Sequence, residues 1–167
     1  YCRQIGLEFD RDGEIARRGA ICRPLLDELN GMEFYHQSGP KSLGREWVET
    51  QVYPMLERYG LSLEDKLRTF YEHAAFQIFR IINANPSSAG NGKLLITGGG
   101  AFNKFLVERI EALCPCQIVI PGRQIIEYKE ALIFAFLGAL YMAGEPGCLA
   151  SVTGASMDNI GGMLFKV

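Results

Sequence analysis

The sequence predicts an α/β fold in a single domain, and three observations carry that expectation. Two short apolar runs, K-L-L-I-T at 93–97 and Q-I-V-I at 117–120, are each followed by a helical pattern. Strand, helix, strand, helix in that order calls for at least one parallel strand pair. The chain has 167 residues, 48% of them hydrophobic and 22% charged, which suffices for one buried core and argues against disorder.

Residues 1–7 read as a helix end, and 8–13 (E-F-D-R-D-G) as a turn-rich link closed by the turn dipeptide Asp12-Gly13. A helix is expected over 13–29, with Ile15, Ala16, Ala20, Leu25 and Leu26 as its apolar members. Pro24 weakens its middle and splits it into two pieces. Residues 30–44 hold Gly31, Gly39, Pro40 and Gly44 and read as a loop. A helix follows at 44–59, with Trp47, Val48, Val52, Met55, Leu56 and Tyr59 on one stripe. Ser62 with Asp65 has the S-x-x-[DE] form of a helix start. Behind it Leu67, Phe70, Ala74, Ile78, Ile81 and Ile82 recur at helical spacing, which predicts a long amphipathic helix over 63–84.

The polar stretch 83–92 is expected to be a flexible loop. After the strand at 93–97 comes a glycine turn over 98–103. A helix is then expected at about 103–113, with Phe105, Leu106, Ile110 and Leu113 inward, followed by the strand at 117–120. Residues 129–143 are apolar almost all round and predict a buried helix. A glycine-rich tail leads to a last expected strand over 163–167.

Several function classes are disfavoured at this stage. A net charge of −2 gives the surface as a whole no pull toward nucleic acid or an anionic membrane. The longest apolar run, 131–143, falls short of the roughly 18 residues that span a bilayer. Five cysteines without regular spacing suggest reduced structural thiols rather than a disulfide framework. Cys114 and Cys116 form a C-x-C, but no second pair stands at metal-ligand spacing.

The glycine turn has two uses. Glycines after a strand make a tight turn into a helix. They also let a ligand approach the backbone at the helix N-terminus, where unpaired N–H groups and the helix dipole favour anions. The spacing matches neither G-x-G-x-x-G nor G-x-x-x-x-G-K-[ST], so neither a Rossmann nor a P-loop site is expected.

Residues 95–103 (L-I-T-G-G-G-A-F-N) resemble the adenosine motif of actin-like kinases. Residues 39–46 (G-P-K-S-L-G-R-E) resemble the P-K-S-[TL]-G-R-E segment of anhydro-N-acetylmuramic acid kinases. Residues 129–135 (K-E-A-L-I-F-A) and 151–155 (S-V-T-G-A) are similar to that family's K-E-A-L-x-F-A helix and S-V-T-G-A tail. Residues 9–13 (F-D-R-D-G), with Ala16 and Gly19, resemble its F-D-x-[DG]-G stretch. Residues 121–128 (P-G-R-Q-I-I-E-Y) depart from the longer link often found in the family.

The resemblance implies the second lobe of the actin-like (ribonuclease H-like) ATPase fold, a mixed sheet flanked by helices. It implies a cytoplasmic enzyme of peptidoglycan recycling that uses ATP and Mg²⁺. Such an enzyme opens the 1,6-anhydro bond of anhydro-N-acetylmuramic acid and phosphorylates O6. Gly98, Gly99, Gly100 and Asn103 become the expected nucleotide site, and Glu130, Lys41 and Arg45 the expected substrate side. Each has a plainer alternative. Asn103 serves as helix cap or ligand contact. Glu130 either touches sugar or complements the dipole at the start of its helix. Lys41 and Arg45 order the cleft or bind phosphate, or else form a solvated basic face. Ser151 to Ala155 either line the cleft or close the tail, the second being favoured. His73 is expected on the polar side of its helix, at the surface. His36 is a lone loop histidine. Asp10 and Asp12 beside Gly13 read as a turn before a metal site.

The family's G-T-M-S-G-T-S phosphate loop and its D-T-G-P-[GA]-N segment, which bears the expected general base, are not in this sequence. The chain is therefore expected to be a single C-terminal lobe over 1–167, opening on Tyr1, with the N-terminal lobe absent and no catalysis of its own. An uncovered apolar face and some self-association into a homo-oligomer are expected with it. The alternatives are a non-catalytic nucleotide-binding or interaction module of the same fold, or a different actin-like sugar or acid kinase, against which the P-K-S-L-G-R-E and S-V-T-G-A segments argue.

Overall fold

The computed structural model describes residues 1–38, 41–84 and 92–165. Its secondary structure is mostly helical, with a small two-stranded parallel sheet. The packing divides into two compact units, Tyr1–Gln37 with Leu43–Gly122, and Ser38–Ser42 with Arg123–Val167.

In the first unit the helix expected over 13–29 is two pieces, α1 (Glu14–Arg18) and α2 (Arg23–Asn30), with Pro24 in the first turn of α2. Proline has no N–H to lose there and its fixed φ suits a helix start. The link between the pieces lies against α5 (Leu63–Asn83). Ala20 N–H donates to Asp65 Oδ1 at 2.7 Å and Cys22 N–H to Thr69 Oγ1 at 3.0 Å. A Cβ on Gly19 would stand 2.1 Å from the Glu64 carbonyl oxygen, so only glycine admits this approach.

The helix expected at 44–59 is one run over 45–58 with a defect: α3 (Arg45–Trp47), a π turn (Val48–Val52) and α4 (Tyr53–Arg58). Pro54 explains the defect. In a regular helix its ring would meet the carbonyl four residues back, and the wider turn relieves that clash. α5 starts where Ser62 Oγ accepts the Asp65 N–H at 3.1 Å.

α5 is the spine of this unit and packs on two sides. Toward its N-terminal half, Leu25, Leu29, Val52 and Leu56 form one core cluster, with Phe70 against it. Leu25 and Leu29 are fully buried, each worth roughly 2 kcal/mol. Toward its C-terminal half, Ala75 and Ile82 pack with Ile110 and Cys114. Two-sided packing is why a single stripe describes α5 imperfectly: Ile81 is exposed, whereas Ala75, Thr69 and His73 are buried.

The sheet pairs β1 (Lys93–Leu95) with β2 (Gln117–Val119), Leu94 opposite Ile118, with α6 (Lys104–Leu113) between them in sequence. The parallel strand–helix–strand unit is as expected, but the strands are shorter than 93–97 and 117–120 and are not buried, Leu95 being 60% exposed. Phe105 and Ile110 of α6 are buried as expected, along with Val107, whereas Leu106 and Leu113 are half-buried. The mixed sheet is not formed among the described residues. Residues 163–165 are irregular, and the rest of the strand expected over 163–167 lies outside the described residues. The expected loop at 83–92 likewise falls mostly on residues 85–91, outside them, as do residues 39 and 40 of the loop expected over 30–44.

The second unit contains α7 (Arg123–Ala143) and α8 (Ala150–Thr153). α7 begins six residues before the apolar stretch that announces it. The expected burial is not found: Leu132, Phe134, Phe136 and Met142 are 59–73% exposed. An all-round apolar helix needs cover, and the described residues of this chain do not give it. Past α7, Cys148 and Asn159 form an isolated antiparallel bridge. Among the described residues no helix is long and apolar enough to cross a membrane.

Candidate functional site

The site with most chemical content is the turn leaving the carboxyl end of β1. Ile96 N–H still donates across the sheet, to Val119 O at 2.9 Å. The chain then turns at Gly98, with φ of 80° and ψ of −178°, a combination essentially restricted to glycine. A 3-10 turn (Gly99–Phe102) comes next, closed by Ala101 N–H to Gly98 O at 3.0 Å and Asn103 N–H to Gly100 O at 3.1 Å. α6 then runs away from it.

A Cβ placed on Gly98 or Gly99 would meet nothing within 4 Å. Gly98 is explained by its φ. Gly99 has neither an unusual φ nor a neighbour to avoid, so the fold itself gives no reason for glycine there. Close approach of a ligand would give one. Ligands of open α/β sheets bind outside the carboxyl ends of strands, which is where this turn lies. Beside it, the hydroxyl oxygen of Thr97 is enclosed without a hydrogen-bond partner.

Asn103 takes the capping alternative. Its Oδ1 accepts the Leu106 N–H at 2.9 Å, which starts α6. Its Nδ2 donates to the Tyr71 hydroxyl at 2.8 Å, so both ends of the amide are engaged within the chain.

The other expected site residues are placed as follows. Arg45 is the first residue of α3, in the same unit as the glycine turn; it is exposed and its Nε donates to Glu49 Oε1 at 2.6 Å. That carboxylate favours its charged form. Lys41 and Glu130 belong to the second unit and are exposed. Because α7 starts at Arg123, Glu130 sits two turns in, and the dipole explanation for its carboxylate is lost. Residues 151–155 span the end of α8 and its left-handed Gly154, with the Ala150 N–H capped by Asp158 at 2.6 Å.

One histidine is corrected. His73 is buried rather than at the surface, 2% exposed. Its Nδ1 lies 2.7 Å from Asn30 Oδ1 and its Nε2 3.0 Å from the Tyr35 hydroxyl. Burial holds its pKa down at about 4, so it is neutral at physiological pH and tied into a structural network. His36 is exposed, with Nε2 3.2 Å from the Asn30 carbonyl oxygen. Asp10 belongs to a turn, as expected. Among the described residues no group of three or more His, Cys, Asp or Glu could hold a metal ion.

Tyr71 is a residue that sequence reasoning misses. It sits on α5 as one aromatic among many, and nothing local marks it. Burial, and then the Asp10 charge, push its hydroxyl up to about 12.

The model of the anhydro-N-acetylmuramic acid kinase family matches residues 1–167. That match covers every segment whose motif resembles the family, the glycine turn included. With the whole length matched, this chain belongs to the anhydro-N-acetylmuramic acid kinase family, phosphotransferases that act on a cell-wall sugar.

Proposed function

We propose that this chain supplies the adenosine side of the ATP cleft in a cytoplasmic kinase of peptidoglycan recycling. The reaction is opening of the 1,6-anhydro ring of anhydro-N-acetylmuramic acid with phosphorylation of O6. The observation that carries the reading is Gly99, four residues past the carboxyl end of β1, where neither φ nor a close neighbour calls for glycine and a ligand's approach would.

In this reading the fold is the second lobe of an actin-like ATPase. The phosphate loop and the general base come from residues outside this chain, so the chain alone does not turn over. Water attacks the anomeric carbon and loses its proton to that base. The bond from C1 to O6 breaks, and O6 takes the γ-phosphoryl group, leaving ADP. Mg²⁺, brought with ATP, would supply charge stabilisation to the transferring phosphoryl group. Glu130, Lys41 and Arg45 are carried as substrate contacts by the family motifs they belong to, Glu130 as an acceptor for sugar hydroxyls and the other two as cations. The uncovered face of α7 is the surface on which a further lobe or a second copy rests.

The test is turnover by the full-length protein in heavy-oxygen water with ATP, Mg²⁺ and the anhydro sugar. Sugar-dependent ADP and a 6-phosphorylated sugar carrying heavy oxygen at C1 are expected. ADP release indifferent to the sugar, or label in the phosphate, contradicts the reading.

A further inference from the structure

The turn at 8–13 is the most constrained piece of backbone in the first unit. Asp12, with φ of 55°, is the sole non-glycine residue at positive φ among the described residues, and Gly13 stands next at 76°. Gly13 takes this conformation freely, whereas a left-handed aspartate carries a cost that surrounding contacts offset.

Those contacts lead to the glycine turn. The buried Asp10 carboxylate accepts the Ile15 N–H at 2.8 Å and the Ala16 N–H at 3.1 Å, which caps α1. Its Oδ2 also accepts the Tyr71 hydroxyl at 3.3 Å, and the Tyr71 oxygen accepts from Asn103 Nδ2. A Cβ on Gly13 would lie 2.5 Å from Asn103 Oδ1 and from Phe105 Cβ, so the turn is seated directly on the start of α6. Lys104 Nζ, 3.4 Å from Asp12 Oδ2, closes the exposed side.

The direction of every hydrogen bond in this relay is dictated by its ends. A carboxylate only accepts and a backbone N–H only donates, so the Asn103 amide has one permitted orientation. Capping α6 needs only an acceptor, which Asp or Ser would supply equally. The Nδ2 of Asn103 is required by Tyr71 alone. The glycine turn has open space beside Gly98 and Gly99. It is held on one side by the sheet, through Ile96 N–H to Val119 O, and on the other by Ala101 and the start of α6.

We propose that Asp10, Tyr71 and Asn103 form a positioning relay that sets the glycine turn for the adenine nucleotide without touching it. This rests on the reading that the turn binds ATP. The relay joins the two segments, 8–13 and 95–103, and removing it lets the turn drift while the substrate side keeps its place.

The test is steady-state kinetics of the full-length enzyme with ATP and the sugar varied separately. Tyr71→Phe breaks the relay and leaves the cap of α6 intact. It is expected to raise the KM for ATP about tenfold, with kcat and the sugar KM within about twofold. Asn103→Asp keeps the cap but loses the donor, and the same ATP-selective shift is expected. An unchanged ATP KM in Tyr71→Phe, or equal rises in both KM values, overturns the relay. Gly99→Leu separates the two readings. If it raises the ATP KM and Tyr71→Phe does not, the relay falls alone; if neither variant does, the turn is not the nucleotide site and both fall.

Discussion

Acid should weaken this fold through a single buried imidazole. The neutral His73 ring satisfies both its neighbours when Nδ1 carries the proton. Nδ1–H then donates to Asn30 Oδ1, which also accepts from Gln77 Nε2 at 2.9 Å, while Nε2 accepts the Tyr35 hydroxyl proton. A second proton on Nε2 would face that hydroxyl and bring a charge into a site 2% exposed. Both ring nitrogens already face neutral partners, so neither bond compensates that charge. With a folded pKa of about 4 against 6.5 unfolded, the unfolded state binds more protons in the window between them. Stability is therefore complete above about pH 6.5 and falls as the pH drops toward 4. Linkage gives a loss of about 2 kcal/mol at pH 5, larger still at pH 4.5. Urea unfolding at pH 7.5 and pH 5 measures it directly. His73→Gln, which keeps a donor and an acceptor but does not titrate, is expected to flatten the curve in this window. Equal pH dependence in the two proteins would refute the assignment. So would a wild-type stability that does not change between pH 7.5 and pH 5.

Gly13→Ala is expected to destabilise by about 3 kcal/mol, the sum of a left-handed alanine and the contact with Asn103 and Phe105; denaturant unfolding reads it, and a loss near zero would mean that the turn relaxes freely. Phe134→Glu together with Phe136→Lys, on the exposed face of α7, is expected to abolish concentration-dependent self-association of this chain in sedimentation velocity. A wild-type chain that stays monomeric across the same range would contradict the expectation.

Much of the first unit is readable because its signals are local. Ser62 and the helical stripe behind it announce α5, Pro24 splits α1 from α2, and the two apolar runs mark β1 and β2. The start of α7 is hidden because Arg123, Gln124 and Glu127 break the apolar pattern of its first turns, even though Ile126 there is buried. Arg123 and Glu127 form an exposed ion pair there, which supports a helix without a hydrophobic stripe. Its exposure is not legible either, because composition shows that a helix needs cover, not where the cover lies. The burial of His73 escapes sequence reasoning because its partners, Asn30 and Tyr35, lie 43 and 38 residues away. The site divides in the same way. The glycine turn is a contiguous motif and is legible, and so is the cap by Asn103. The relay spans 61 residues from Asp10 to Tyr71 and 32 from Tyr71 to Asn103, and tertiary packing alone brings these side chains together.

If the glycine turn is the nucleotide's approach surface, Gly99→Leu blocks it with least disturbance to the fold. Position 99 is exposed, its φ is ordinary and no atom lies within 4 Å of an added Cβ, so the melting temperature should move by less than about 2 °C. Calorimetric titration of the full-length protein with ADP and Mg²⁺ is then expected to show affinity reduced by about a hundredfold or more, the side chain occupying space the nucleotide needs. Unchanged ADP affinity in a folded Gly99→Leu protein would contradict the account and place the nucleotide elsewhere.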